Sequence, residues 1–236
     1  MRVEIWSDVA CPWCYIGKAR FEQGLEAFAH KDDVEVVFRS FELDPSLPKG
    51  TVSDVIPMLA KKYGMSLEQA HQAEARVAAN AHDTGLDYIL GAHDVGNTFD
   101  MHRLIHFAAE QGRQKELVGI LFANHFADER SLFDDTRLLE LAVEAGLDKD
   151  EAAAVLADET RYADAVRADE REAAMLGATG VPFFVLDRKF GVSGGQPAEV
   201  FTQALEEAWA ARTPALKVVG EAPEGAVCGP DGCEIP

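Results

Sequence analysis

The 236-residue chain has no apolar run approaching the roughly 20 residues that a bilayer-spanning helix requires. Its first residues, Met1-Arg2-Val3-Glu4-Ile5-Trp6-Ser7-Asp8, hold no long apolar core and no small-residue cleavage pattern. A signal peptide is therefore not expected, and the reading is a cytoplasmic protein that engages no membrane. Positive charge is scarce: 22 Lys and Arg face 41 Asp and Glu, a formal net charge of -19. That balance argues against nucleic acid and against an anionic membrane surface as partners. The acid excess is spread through the middle of the chain, which suits a solvated surface better than a docking face. Gly-rich phosphate loops and dinucleotide fingerprints are missing, so neither a nucleotide nor a flavin is expected. There is no HExxH motif and no internal repeat. Cysteine is sparse too, with four in all, at Cys11, Cys14, Cys228 and Cys233. In a reducing compartment such close pairs serve catalysis, sensing or metal binding more often than structure.

What is present is a core of ordinary size, 47% hydrophobic, enough for one large domain or a domain with an insertion. Residues 2–8 alternate Val3 and Ile5 with Arg2 and Glu4 and add Trp6, which reads as a strand. Phe21, Leu25 and Phe28 at helical spacing give a helix over 14–29. Val34 to Phe41, rich in β-branched and aromatic residues, gives a second strand. From about Asp44 to Ala178 the pattern is helical almost throughout. Its stripes are Met101/Leu104/Ile105/Ala108, Val118/Leu121/Phe122/His125 and Leu138/Leu139/Ala142, and Gly64, Gly85, Gly91, Gly96, Gly112 and Gly146 punctuate it. Strand pattern returns at Phe183–Leu186 and turns through Asp187-Arg188 into Phe190–Val192. Gly194-Gly195 closes that hairpin. Pro197 suits a first-turn position of a last helix carrying Phe201, Leu205, Ala208 and Trp209. Beyond Thr213-Pro214 the chain is rich in Pro and Gly. A lone βαβ and a lone ββα each leave sheet faces bare, so the two complete one another in a four-stranded sheet.

Cys11-Pro12-Trp13-Cys14 stands at the first strand-to-helix junction. Two thiols three positions apart read there as an exchangeable dithiol/disulfide centre, Cys11–Cys14. The thiolate is the nucleophile in disulfide exchange, and a cysteine at a helix start faces unpaired N–H groups and the positive end of the dipole. Pro12 suits the first helical position, which puts Cys11 at the N-cap with its sulfur in reach of first-turn N–H groups. Cys14 lies one turn inside and is expected to be more buried. Cys11 is assigned as the attacking thiol and Cys14 as the resolving thiol. A structural disulfide or a zinc half-site is the plainer alternative.

With the Ser7-Asp8 strand end, the late Val181-Pro182, Gly191-Val192-Ser193-Gly194 and the helical insertion, the chain resembles the DsbA-like branch of the thioredoxin superfamily over about residues 1–212. The FrnE-type cytoplasmic oxidoreductases are the nearer likeness. The resemblance implies an α/β thioredoxin-like fold, βαβ…ββα, with a long all-helical insertion domain. It divides the chain into a discontinuous thioredoxin-like domain, 1–43 with 179–212, an insertion domain, 44–178, and a tail, 213–236. It implies a cis Pro182 packed against the cysteines, with the Val181 backbone presented to an extended substrate. Pro12, Trp13, Val181 and Pro182 would line the site. Asn97, Thr98 and His102, in the run Asn97 to Leu104, resemble a motif near the active site of hydroxychromene-carboxylate isomerases and kappa-type glutathione transferases. Asn97 is also a good N-cap and Asp100 suits a first turn, so both readings stand.

His102 and His106 share a helical face at i, i+4, yet have no evident third ligand, and no bound metal or other cofactor is expected. His125 on an apolar stripe reads as a satisfied core histidine. Cys228-Gly229-Pro230-Asp231-Gly232-Cys233 is a turn with a thiol at each end, close to disulfide geometry. It reads as a secondary redox pair, with a passive clip or a zinc site shared with Cys11 and Cys14 as alternatives. The function expected is thiol–disulfide oxidoreductase or isomerase chemistry on protein or small-molecule disulfides and thiols, in a monomer or homodimer. Glutathione or thioredoxin would be the electron partner. Two other readings stand beside it. One is a glutathione-dependent isomerase or transferase related to 2-hydroxychromene-2-carboxylate isomerase, where a single serine usually replaces Cys11. The other is a non-catalytic redox- or metal-binding chaperone.

Overall fold

β1 (Arg2–Ser7) is buried from its second residue to its last, because it lies in the middle of the sheet with both faces covered. A computed structural model describes residues 1–212; Cys228, Cys233 and the rest of 213–236 lie outside the described residues. α1 (Pro12–Glu26) follows, then a 3₁₀ turn and β2 (Glu35–Ser40), which pairs parallel with β1. The last elements are β5 (Phe183–Leu186), β6 (Phe190–Ser193) and α9 (Ala198–Ala210). β5 runs antiparallel to β1 with Val3 opposite Leu186, Ile5 opposite Phe184 and Trp6 opposite Phe183. The sheet order is β2-β1-β5-β6, a thioredoxin-like βαβ…ββα arrangement. Pro197 is the N-cap of α9 and not its first helical residue, since its ψ of 154° is extended.

Between β2 and β5 come β3 (Ser53–Asp54), α2 (Val55–Tyr63), α3 (Leu67–Asp83), β4 (Asp94–Val95), α4 (Phe99–Glu110), α5 (Gln114–Ala127), α6 (Asp135–Glu144), α7 (Lys149–Ala157) and α8 (Ala163–Met175). β3 and β4 pair antiparallel, so the insertion is not purely helical. Two-residue strands are too short to show a period of two, and sequence pattern cannot reveal them.

Side-chain alternation in β1 and β5 fixes which helix covers which face. On one face Phe184 meets Phe21 of α1 and Phe201 of α9, with ring centroids 5.5 and 4.6 Å apart. On the other face Trp6 packs with Val185 and with Ala173 of α8, and its indole N–H donates to the Asp169 carbonyl at 2.8 Å. Glu4 points to this second face. Sequence alternation marks it as a polar, outward position, but it is buried. Arg39 and Arg188 clamp it, at 2.6 and 2.7 Å from Oε1. Burial pushes the Glu4 carboxyl up, and the two guanidinium groups outweigh that and hold it below the usual range.

α5 brings Phe122, His125 and Phe126 against Tyr15 of α1 and against Tyr88 and His93 from the segment after α3. Tyr15 and Tyr88 both stack on Phe126, with centroids 5.5 and 5.4 Å apart, and His93 meets His125 at 5.3 Å. The core position expected for His125 is the one observed, but the ring is not satisfied there: its Nε2 is buried with no hydrogen-bond partner, because the surrounding side chains are aromatic. Burial pushes the His125 pKa down to about 3 and that of His93 to about 4.

Both histidines are neutral in the folded chain, while the unfolded chain protonates them near pH 6.5. Stability is therefore lost as pH falls from 6.5 towards 4, by up to about 1.4 kcal/mol per pH unit for each histidine. Glu74 and Glu42, raised by burial, act in the opposite sense. Urea unfolding between pH 7 and 5 should give a shallower loss of stability in His125→Phe than in the wild type. Equal slopes would contradict this assignment.

α1 and α9 pack closely at Gly24, where an added Cβ would sit 2.6 Å from the Ala198 carbonyl oxygen. Gly24→Ala should cost about 1–3 kcal/mol in urea unfolding. Gly119→Ala, inside α5 with nothing nearer than 3.9 Å, should instead gain about 0.5–1 kcal/mol.

Candidate functional site

Between the end of β1 and the start of α1 the chain turns over four residues, and Cys11 is the N-cap with extended backbone, φ -95° and ψ 110°. Pro12 at the first helical position sacrifices no hydrogen bond there. The Cys11 N–H donates to the Asp8 carbonyl at 3.1 Å, and the Cys11 carbonyl accepts from the N–H groups of Cys14 and Tyr15 at 3.0 and 3.3 Å. Both thiols are free and buried, Cys11 at 5% and Cys14 at 2% exposure, so their difference in burial is slight.

The expected contact of the Cys11 sulfur with first-turn N–H groups is not made. Pro12 has no N–H to offer, and the Cys14 N–H is taken by the Cys11 carbonyl. The Cys11 thiol turns instead to the Val181 carbonyl, with Sγ 3.6 Å from the oxygen. Val181 reaches this place because β5 pairs with β1. The Val181–Pro182 peptide is cis. Pro182 lies on α1 at Gly17, where an added Cβ would stand 2.9 Å from Pro182 Cγ and 3.2 Å from Gly195 Cα. Glycine at 17 lets both loops close on the helix.

Asp8 is the buried carboxylate of the site. Its Oδ2 accepts from the Leu43 N–H at 2.7 Å and its Oδ1 from the Ala10 N–H at 3.3 Å. His102 Nε2, from α4, stands 3.4 Å from Oδ1. Burial pushes the Asp8 carboxyl up, but His102, the Leu43 N–H and the Thr98 hydroxyl outweigh it and hold the group below its usual range. The neighbouring Cys14 thiol is pushed well above the usual thiol range, first by burial and then by its contact with Cys11.

The run Asn97 to Leu104 is split by the structure. Thr98 lines the cavity beside Cys11, and His102 reaches Asp8. Asn97 is outside that cavity and is not the N-cap, which is Thr98. Its Oδ1 accepts from the Phe99 N–H at 3.0 Å and its Nδ2 donates to the Leu47 carbonyl at 2.8 Å. An asparagine side chain bonds the backbone two residues on, so it steadies the helix start from one position earlier. His106 turns away from His102 and meets Ser40 and Asp169, each at 3.1 Å. Among the described residues no three His, Cys, Asp or Glu side chains come together as a metal-holding group.

A cavity of about 380 Å³ opens beside Cys11 and is lined by Pro12, Trp13 and Val181 on the sheet side and by α2, α3 and the β3–β4 pair opposite. Trp13 stands half out of the protein at its edge. Glu74 and His93 lie on its wall, and sequence reasoning named neither. The Tyr88 hydroxyl donates to Glu74 at 2.5 Å, and His93 Nδ1 is 3.7 Å from the same carboxyl oxygen. Burial lifts the Glu74 carboxyl above its usual range. Asp8 entered the sequence reading only as part of the Ser7-Asp8 strand end, with no role of its own. A lone Asp at a strand end and a lone Glu in an amphipathic helix look like surface residues, and only tertiary burial marks them.

Among the described residues no helix is long and apolar enough to cross a membrane. The chain is similar to a probable DsbA oxidoreductase from Streptomyces coelicolor, 62% identical, covering 100% of this chain and 99% of that one with a TM-score of 0.89. At the level of fold it is similar to the cytosolic disulfide reductase DsbM from Pseudomonas aeruginosa, solved with GSH, at 20% identity and TM-score 0.60, covering 89% of this chain and all of that one. A 2-hydroxychromene-2-carboxylate isomerase matches at 13% identity and TM-score 0.64, covering 89% and 95%. The DSBA-like thioredoxin domain profile matches residues 2–206. With that match over most of its length, the chain belongs to the DSBA-like thioredoxin family.

Proposed function

We propose that the protein is a thiol–disulfide oxidoreductase that works through Cys11 and Cys14. One observation carries the reading: two free, buried thiols stand one turn apart at the start of α1, and the one at the N-cap, Cys11, lines a cavity and meets the Val181 carbonyl. In the reducing direction the Cys11 thiolate attacks a substrate disulfide. A Cys11–substrate disulfide forms and the substrate's other sulfur leaves as a thiolate. Cys14 then loses its proton and attacks the Cys11 sulfur, and the second substrate thiolate leaves. Two electrons pass to the substrate and the Cys11–Cys14 disulfide remains. Oxidation is the same sequence reversed. Isomerisation uses only the first attack and its reversal, with no net electron transfer.

Asp8 is the buried carboxylate whose charge acts on the Cys14 thiol, and the reading gives it the Cys14 proton in the resolving step. Val181, Pro182, Pro12 and Trp13 frame the site, and Thr98 and His102 hold the Asp8 side. A dithiol such as thioredoxin, or glutathione, would return the disulfide to the reduced state. The cytoplasm, whose glutathione pool keeps thiols reduced, fits a resting dithiol. The FrnE-type assignment extends to Cys228 and Cys233 as a second pair that exchanges with the first. Two thiols at the site speak against the glutathione-dependent isomerase, because that chemistry leaves Cys14 without a task.

Cys11→Ser should abolish reduction of insulin by dithiothreitol under catalysis. Cys14→Ser should instead accumulate a mixed disulfide on Cys11, seen as a mass adduct that dithiothreitol removes. Full turnover in Cys11→Ser would contradict the reading. Asp8→Asn should leave the first attack intact and slow the resolving step about a hundredfold near pH 7. Stopped-flow tryptophan fluorescence should also show that step shifted to higher pH. A uniform loss at every pH would make Asp8 structural only.

A further inference from the structure

The cavity beside Cys11 has a composition that selects among disulfides. Its wall is made by Leu47, Val55, Met58, Leu59, Val77 and Val95. These side chains come from α2, α3, β4 and the loop before β3, so the insertion and not the thioredoxin-like part sets what can approach the thiol. At about 380 Å³ it lies in the size range of small-molecule sites. A body that enters it is a small molecule or a single side chain.

Charge in the cavity is one-sided. Lys62 is the one cation among the lining residues, and it sits by Asp44. Asp8 is engaged by Leu43, Ala10 and His102. Glu74 is buried and accepts from Tyr88. No arginine lines the wall, so nothing there is arranged to pair two carboxylates. An anionic body would give up its hydration and gain a single rim lysine in return. His93 also lies on the wall, but it is 5% exposed and its buried Nδ1 faces the Glu74 carboxyl at 3.7 Å, so the ring offers the cavity an apolar surface and no free polar atom.

We propose that the cavity selects low-molecular-weight disulfides with an apolar, uncharged body. This rests on the thiol–disulfide reading and names the substrate class for the same site. The exchange is the one written above: Cys11 attacks one sulfur of the bound disulfide, and the other leaves the cavity as a thiolate.

Two aryl disulfides of one scaffold and opposite character test it. The fully reduced protein is mixed in single turnover with bis(4-aminophenyl) disulfide, which is neutral, or with the dianionic 5,5′-dithiobis(2-nitrobenzoate). Each rate is divided by that disulfide's rate with free dithiothreitol, which removes intrinsic reactivity. Oxidised glutathione is run alongside. The expected result is a normalised rate at least about tenfold higher for the neutral disulfide, a difference of about 1.4 kcal/mol in transition-state binding. That preference should survive 0.5 M NaCl, which screens the net negative charge of the chain. Ala73→Trp on α3 and Val77→Phe, two independent fillings of the cavity, should each collapse the preference. A protein that is oxidised by all three disulfides with no neutral preference, or keeps its preference when the cavity is filled, overturns the cavity proposal and leaves the redox reading standing. A protein whose Cys11 and Cys14 are oxidised by none of them overturns both.

Discussion

The pairing of β1 with β5 is the constraint on which the rest of the molecule depends. It joins Val3 to Leu186 and Trp6 to Phe183 across some 180 residues of chain. Without it each end of the chain would own an unfinished sheet, and Val181 would have no reason to lie over Cys11. The same register divides the side chains of both strands between two faces. Phe184 goes to α1 and α9, while Trp6 and Val185 go to α8. The buried Glu4 with Arg39 and Arg188 ties β1, β2 and the β5–β6 turn together at the end of the sheet away from the cysteines. Removing one partner of such a buried set leaves an uncompensated charge, which is far costlier than the pair is favourable.

Position in this frame sets the chemistry of each thiol. Cys11 ends an extended segment and meets a backbone carbonyl at a cavity mouth, whereas Cys14 is held inside the first turn of α1. Asp8 follows directly on β1, but the groups that hold its carboxyl below the usual range, His102, Leu43 and Thr98, come from α4, its cap and the segment after β2. The insertion is therefore not an ornament on a finished site. It supplies the environment of the buried carboxylate on one side of the thiols and the apolar wall on the other.

The sequence made the local parts legible. A strand ending in Ser7-Asp8, a CxxC and a proline at the first helical position are short-range signals, and each element they imply forms where the pattern puts it. The late strand pair at Phe183 and Phe190 was readable for the same reason. What could not be read depends on contacts between distant segments. Glu4 alternates with Val3 and Ile5 as a surface residue would, and only the arginines at 39 and 188 explain its burial. Asn97 has the side chain of an N-cap yet acts one residue early, a choice made by its second bond to Leu47. The Glu74–Tyr88–His93 group joins α3 to the segment that follows it and leaves no periodic trace.

The central claim is that Cys11 and Cys14 form a reversible two-electron couple. The direct measurement is equilibration of the protein in glutathione redox buffers, with thiol trapping and mass spectrometry reading each cysteine pair separately. The account predicts one two-electron transition for Cys11/Cys14 between about -270 and -120 mV, the values of thioredoxin and DsbA. Thiols that stay reduced across that whole range would contradict it.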